Sequence, residues 1–278
     1  MRTFRADDGE TIRVAVAGEG PPLVLLHGWT VSHAEWSPLM HELAPHFTTY
    51  RWDARAHGGH SLETPTAPTV QRMARDLRNL LAAFGIEGAT VVGHSMGVLT
   101  IWEAIRQGGT RGLGRLVLVD QSPRLVTGAG WRHGIYSDFD AARSAAFLAD
   151  LERDFAESVL RLAAHGLNAR ARRKYDEDSR GWQLARAALR RQSPGPLIEA
   201  WRSLVAGDWR DVLPAIDIPT HLVYGGESNF YDAATRDWVH SRIPGATLAV
   251  YDGADHSPHQ AQPQRFVREL LELGAREA

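Results

Sequence analysis

Short apolar runs separated by amphipathic stretches set the pattern of this chain. Residues 22–27, 89–93, 115–120, 220–224 and 247–251 are strand-length runs rich in Val and Leu, and 47–51 is a further run with Phe, Thr and Tyr. Several are apolar throughout rather than alternating, which marks strands buried on both faces. Between them, Val70, Met73, Leu77, Leu80 and Phe84 share one helical face, so the spacing predicts a helix over 69–84 that stops at Gly85. Ser32 followed by Glu35 reads as a capping box opening another helix, and a last helix is expected over 262–273. Residues 2–5 and 11–17 flank Asp7-Asp8-Gly9-Glu10, and Asp-Gly between two extended runs predicts a hairpin.

Strand–helix alternation of this kind builds an α/β protein with a mostly parallel central sheet and flanking helices. The rhythm breaks between Asp120 and Pro219. There the chain is rich in Arg and Ala, with Phe147, Leu148, Leu151, Phe155, Val159 and Leu162 at helical spacing and a Pro194-Gly195-Pro196 break. The expected organisation is a core formed by 1–121 and 213–278, with 122–212 as an inserted helical cap.

Composition narrows the partners. A net charge of −2 over 278 residues gives no global field to gather nucleic acid or hold an anionic membrane, and a small, roughly neutral molecule fits better. No apolar run approaches the ~20 residues needed to cross a bilayer. The first ten residues contain three acids and a turn where a signal peptide needs an apolar stretch, which points to a cytoplasmic protein. With no cysteine, disulfides, thiolate metal sites and Cys nucleophiles are excluded together. Assembly into a homo-oligomer stays open.

The chemistry concentrates in Gly93-His94-Ser95-Met96-Gly97, which follows a β-rich run and precedes a helical pattern. That context suits a nucleophile elbow, a sharp strand-to-helix turn that lifts a Ser hydroxyl clear of the sheet. A hydroxyl needs a base, and His256 lies where one is required, in the loop between the last strand and the last helix. His259 is a nearby competitor, while His94 and His57 read as structural. A developing oxyanion needs two preorganised donors. The Met96 N–H, just after the nucleophile, is one candidate. The Trp29 N–H, in the His27-Gly28-Trp29-Thr30 turn after the 22–27 strand, is the other.

In order and spacing, Leu26-His27-Gly28-Trp29, Asp53-Ala54-Arg55-Ala56-His57-Gly58, Gly93-His94-Ser95-Met96-Gly97 and Asp255-His256 resemble the α/β-hydrolase superfamily. Within it, the chain is similar to the serine esterase and cofactor-free haloperoxidase (perhydrolase) group. Three departures stand out. Ala56 occupies a position where the family usually has Gly, and Gly59-His60-Ser61 carries an extra residue. The third concerns the triad acid, which the family usually places after the penultimate strand; this chain has Gly226-Glu227-Ser228-Asn229 there. Some members carry the acid one strand earlier, where Asp120 stands, and Ser122-Pro123-Arg124 resembles that subgroup. Asp120 is therefore the expected acid, with Asp232, Glu227 and a weakened Asn229 version as alternatives.

The resemblance implies cleavage of a small-molecule carboxylic ester, lactone or thioester through Ser95, His256 and an acid. No metal or organic cofactor is expected, since the histidines lack ligand spacing and the Gly-rich segments fit no phosphate loop. Trp131 and Tyr136 are expected at the substrate, with Trp29, Trp182 and Trp201 as further aromatic candidates. Ser95 argues against the carboxylate-nucleophile dehalogenases and epoxide hydrolases of the same fold. A cofactor-free oxygenase and a hydrolase-derived binding protein remain as rivals.

Overall fold

The computed structural model describes residues 1–275. Strands β1 (Arg2–Arg5) and β2 (Thr11–Ala17) form the expected hairpin, with Gly9 in the left-handed region at φ 87°. Six further strands follow: β3 (Pro22–Leu26), β4 (Thr48–Asp53), β5 (Ala89–His94), β6 (Leu113–Val119), β7 (Thr220–Gly225) and β8 (Thr247–Tyr251). They lie in one sheet of order β1-β2-β4-β3-β5-β6-β7-β8. β2 is antiparallel to both its neighbours, and every pairing from β4 to β8 is parallel.

The apolar runs are continuous because both sheet faces are covered. Successive residues of a strand point to opposite faces. Accordingly Val24, Leu26, Val91, Leu116 and Leu118 join one core with Met73, Leu77 and Leu80 of α2 (Val70–Ala83) and much of α3 (Met96–Gly108). Leu23, Leu25, Val92, Val117, Val119 and Val223 join the other, with Trp36, Leu43 of α1 (Met40–Leu43), and Phe266, Val267 and Leu270 of α11 (Pro263–Ala275). α2 begins at its Thr69 cap, whose Oγ accepts from Arg72 N–H at 3.2 Å.

Between β6 and β7 the regular structure is helical, apart from one isolated Gly128–Trp131 bridge. It comprises α4 (Ala141–Arg153), α5 (Phe155–Ala164), α6 (Ala169–Asp176), α7 (Arg180–Leu189) and α8 (Pro194–Ala206). After β7 come α9 (Ala233–Arg242) and, following β8, the short α10 (Pro258–Ala261). Among the described residues no helix is long and apolar enough to cross a membrane.

Two local expectations are corrected. Pro194-Gly195-Pro196 is the first turn of α8 rather than a break. The first-turn N–H groups have no helical partner, so proline loses nothing there and its fixed φ suits the helix. Ser32 caps a 3-10 turn (His33–Leu39) by accepting from Ala34 N–H at 3.2 Å, but Glu35 does not turn back on it. Its carboxylate is buried and accepts from Gly28 N–H at 2.9 Å. A buried acceptor facing a free backbone donor outweighs a solvent-exposed capping bond.

Candidate active site

Parallel pairing brings the carboxyl ends of β3, β5, β6, β7 and β8 level, since Leu26 pairs with Gly93, His94 with Val119, Val119 with Val223 and Gly225 with Tyr251. Loops leaving these ends converge on one edge, where ligands of open α/β sheets bind.

Ser95 sits between β5 and α3 with φ 53° and ψ −115°, outside the regions comfortable for a side chain. A backbone so held costs about 1–3 kcal/mol, and such strain clusters at functional sites. The flanking glycines are sterically required. A Cβ at Gly93 would lie 2.7 Å from both the Gly97 carbonyl carbon and Ile101 Cδ1, and one at Gly97 would lie 2.4 Å from Leu26 O. The elbow is thus wedged between β3 and its own helix.

Asp120 directly follows β6, is fully buried, and also has a positive φ, 49°. Its Oδ2 lies 2.6 Å from His256 Nδ1 and accepts from Ser228 Oγ at 2.6 Å, while Oδ1 accepts from Gly225 N–H at 3.0 Å. All three donors belong to the loops after β7 and β8 or to the end of β7. His256 is partly exposed, its side chain at 15%, and Phe230 meets it edge-on with ring centroids 4.4 Å apart. Burial pushes the His256 pKa below the ordinary value, against the opposing pull of the Asp120 carboxylate, so the ring is neutral near pH 7.

The other acids expected after β7 are engaged elsewhere. Asp232 caps α9, accepting from Thr235 N–H at 2.8 Å and from Ser137 Oγ at 2.9 Å. Glu227 is exposed. Asn229 touches the histidine loop through its backbone rather than the ring: its Oδ1 accepts from His256 N–H at 3.1 Å, and its Nδ2 donates to Ala163 O at 2.7 Å.

Ser95 and His256 open into one cavity of about 240 Å³, lined also by Trp29, Met96, Trp201, Leu204, Phe230 and Tyr231. Its wall is mostly apolar. Among the hydrogen bonds of the described residues, the Trp29 and Met96 N–H groups have no partner. The Trp29 ring is fixed by Nε1 donating to Leu197 O at 2.9 Å and by packing on Trp201 at 4.7 Å. Outside the cavity, and sharing His256, Phe230 and Gln260 with it, an open groove carries Arg170, Lys174, Arg180 and Trp182.

Trp131 and Tyr136 do not line the cavity, contrary to expectation. Trp131 is buried by its own contacts, with Nε1 donating to Arg124 O at 3.0 Å and its ring edge-on to Trp238. The Tyr136 hydroxyl donates to Leu162 O, which ties it to α5. Each ring thus spends its polar tip on a backbone carbonyl, Arg124 O for the indole and Leu162 O for the phenol.

Ser228, Phe230 and Glu35 belong to the site region and were not expected there. Ser228 had a signal: a hydroxyl in the loop that usually carries an acid can hydrogen-bond a carboxylate supplied from elsewhere. His57 is buried against the Arg55 carbonyl at 3.0 Å, and burial lowers its pKa to about 3. His94 and His259 converge on Glu35, whose Oε1 lies 2.6 Å from His94 Nδ1 and 3.2 Å from His259 Nε2.

Residues 23–269 match the profile of the alpha/beta hydrolase family, and the chain belongs to that family. Among curated relatives, a pimeloyl-[acyl-carrier protein] methyl ester esterase of Aromatoleum aromaticum is 30% identical over 250 residues, covering 88% of this chain and 94% of its own. One of the same name from Aliivibrio salmonicida is 29% identical, covering 91% and 92%. Among solved structures, an esterase from Exiguobacterium antarcticum superposes with a TM-score of 0.84 at 22% identity over 98% of both chains. A bromoperoxidase from Bacillus anthracis reaches 0.83 at 21% identity, covering 97% and 98%. At such identities the structural likeness concerns the fold.

Proposed function

We propose that the protein is a serine hydrolase that cleaves a carboxylic ester of a small acyl chain through Ser95, His256 and Asp120. The observation that carries this reading is the 2.6 Å contact between Asp120 and His256 behind a cavity that Ser95 and His256 both line. Asp120 holds the proton on Nδ1, leaving Nε2 as the base for the Ser95 hydroxyl. Ser95 Oγ attacks the ester carbonyl carbon, its proton passes to His256 Nε2, and the oxyanion is met by the Trp29 and Met96 N–H groups. Collapse expels the alkoxide, which takes the proton from His256, and leaves Ser95 acylated. Water, deprotonated by the same nitrogen, then releases the acid.

The cavity's modest volume and apolar wall favour a short acyl group, because pockets for drug-sized ligands run to roughly 300–1,000 Å³. Relatives named for a methyl ester of a carrier-bound acyl chain support the choice of bond. The helical insertion, which contributes Leu162, Trp201 and Leu204 to the wall, acts as a cap. Steady turnover of a short-chain aryl ester by the purified protein, abolished in Ser95→Ala with the circular dichroism spectrum unchanged, is the expected result. More than a few per cent of activity remaining in Ser95→Ala contradicts it. A wild type that binds the ester without turning it over does so too.

A further inference from the structure

At the wall of the cavity, beside the elbow, lies a buried charged group that the proposed reaction does not use. Glu35, at the 3-10 turn after β3, is buried, and its Oε2 accepts the Gly28 N–H of the oxyanion loop. Its Oε1 faces His94 Nδ1 at 2.6 Å, on the elbow, and His259 Nε2 at 3.2 Å, on α10. The far nitrogen of His94, Nε2, lies 2.9 Å from the backbone carbonyl of His256. One carboxylate therefore joins three loops that converge on the site.

The partners fix the protonation of His94. A carbonyl only accepts, so Nε2 carries a proton. The carboxylate of Glu35, held well below the usual range by His94 and His259 against its burial, also only accepts. Nδ1 must then carry a proton as well, although it is not well aligned for a straight hydrogen bond and the attraction is chiefly between charges. The 2.6 Å approach of a carboxylate oxygen to Nδ1 favours the imidazolium form of His94. Burial alone would push its pKa down, and the Glu35 carboxylate outweighs that and holds it up. His259 is the opposite case: burial keeps it neutral, with its proton on Nε2 and a buried Nδ1 that has no partner.

A metal ion is a poorer explanation of the cluster. At bonds of about 2 Å, tetrahedral ligands stand about 3.3 Å apart, and Glu35 Oε1 and His94 Nδ1 are already at 2.6 Å.

We propose that Glu35 and His94 form a second carboxylate–imidazolium pair at the wall of the site, whose near charge adds to burial in keeping His256 neutral and whose Nε2–H anchors the histidine loop. The proposal rests on His256 as the base. Both residues are positioning residues, since neither touches the reacting atoms. A buried ion pair is seldom worth its desolvation in stability alone, so its placement calls for another role. The His94 ring centroid is 4.7 Å from that of His256, while Glu35 lies beyond it on the Nδ1 side, so the positive charge is the nearer one. The groups facing His94 are Glu35, His256, His259 at 4.7 Å between centroids, and Asp120 at the end of β6.

Two measurements test this. In the full-length protein, the assigned His94 ring followed by 15N NMR should titrate with a midpoint above the ordinary His value of about 6.5, and a ring already present as a neutral tautomer at that pH overturns the proposal. This readout needs no turnover, so it stands apart from any failure of the esterase reading. In Glu35→Gln the side chain keeps nearly the same shape but carries no charge to hold the second proton on His94. The acid limb of kcat/KM should then move to higher pH by about half a unit or more. An unmoved limb in folded Glu35→Gln overturns the proposal.

Discussion

The Asp120 carboxylate and the His256 imidazole meet at 2.6 Å although their strands, β6 and β8, are not neighbours. β7 lies between them, and its loop supplies Ser228, which donates to the same Oδ2 at 2.6 Å. The loop that usually bears the acid thus supports a carboxylate brought from one strand earlier.

That arrangement gives Ser228 a measurable part. Ser228→Ala removes one of two donors to Oδ2, and a hydrogen bond to a charged group contributes about 1.5–3 kcal/mol. If Asp120 orients His256, kcat should fall on the order of 10-fold or more with little change in KM. Steady-state kinetics on a short aryl ester measures it.

The pH dependence follows from the neutral His256. Its pKa lies below the ordinary His value of about 6.5, so kcat/KM should hold its plateau down to that pH and decline only below it. A pH–rate profile between about pH 4.5 and 8 tests the position of the limb.

Stability should follow a related course. His27, His57, His256 and His259 all have pKa values lowered by burial, so they bind protons less readily folded than unfolded. Their contribution is full above about pH 6.5 and is lost as pH falls through their folded values. His94 works the other way, its raised pKa contributing below the unfolded value and losing that contribution as pH rises through the folded one. Four against one predicts a urea midpoint that falls as pH drops from 7 to about 5. At lower pH the carboxylates of Asp8 and Glu10, each held down to about 2, add to the loss.

Ala56 has φ 68°, which explains why relatives of this kind usually carry glycine there. Left-handed backbone costs an L-residue about 1–2 kcal/mol, more than the ~0.4–1 kcal/mol by which glycine loosens the unfolded chain. Ala56→Gly should therefore raise stability by up to about 1 kcal/mol, read from chemical denaturation.

The centre of the sheet was legible in the sequence because β3, β5, β6 and β7 are buried on both faces, and such strands are continuous apolar runs. Ser95 and its glycines were legible because an elbow imposes steric demands that only certain residues meet. Glu35 was misread for a physical reason: a capping box and a buried carboxylate share the same local spacing, and only the Gly28 N–H and two histidines, distant or differently folded, decide between them. Trp131 and Tyr136 were misplaced for a similar reason, since local spacing does not say which carbonyl a buried ring will find. Asp120 could be singled out because Asn229 stands where an acid is usual and because Ser122-Pro123-Arg124 follows it. Its contact with His256 depends on how three loops close over the sheet.

The catalytic assignment turns on that contact, and the most direct measurement is kcat for Asp120→Asn on an ester that the wild type turns over. The amide preserves shape but cannot stabilise an imidazolium, so kcat should drop by a factor on the order of 10³–10⁴ with KM little changed, while Asn229→Ala does far less. Near-normal turnover in folded Asp120→Asn would contradict the account and leave Asp120 a structural partner of Ser228 and Gly225.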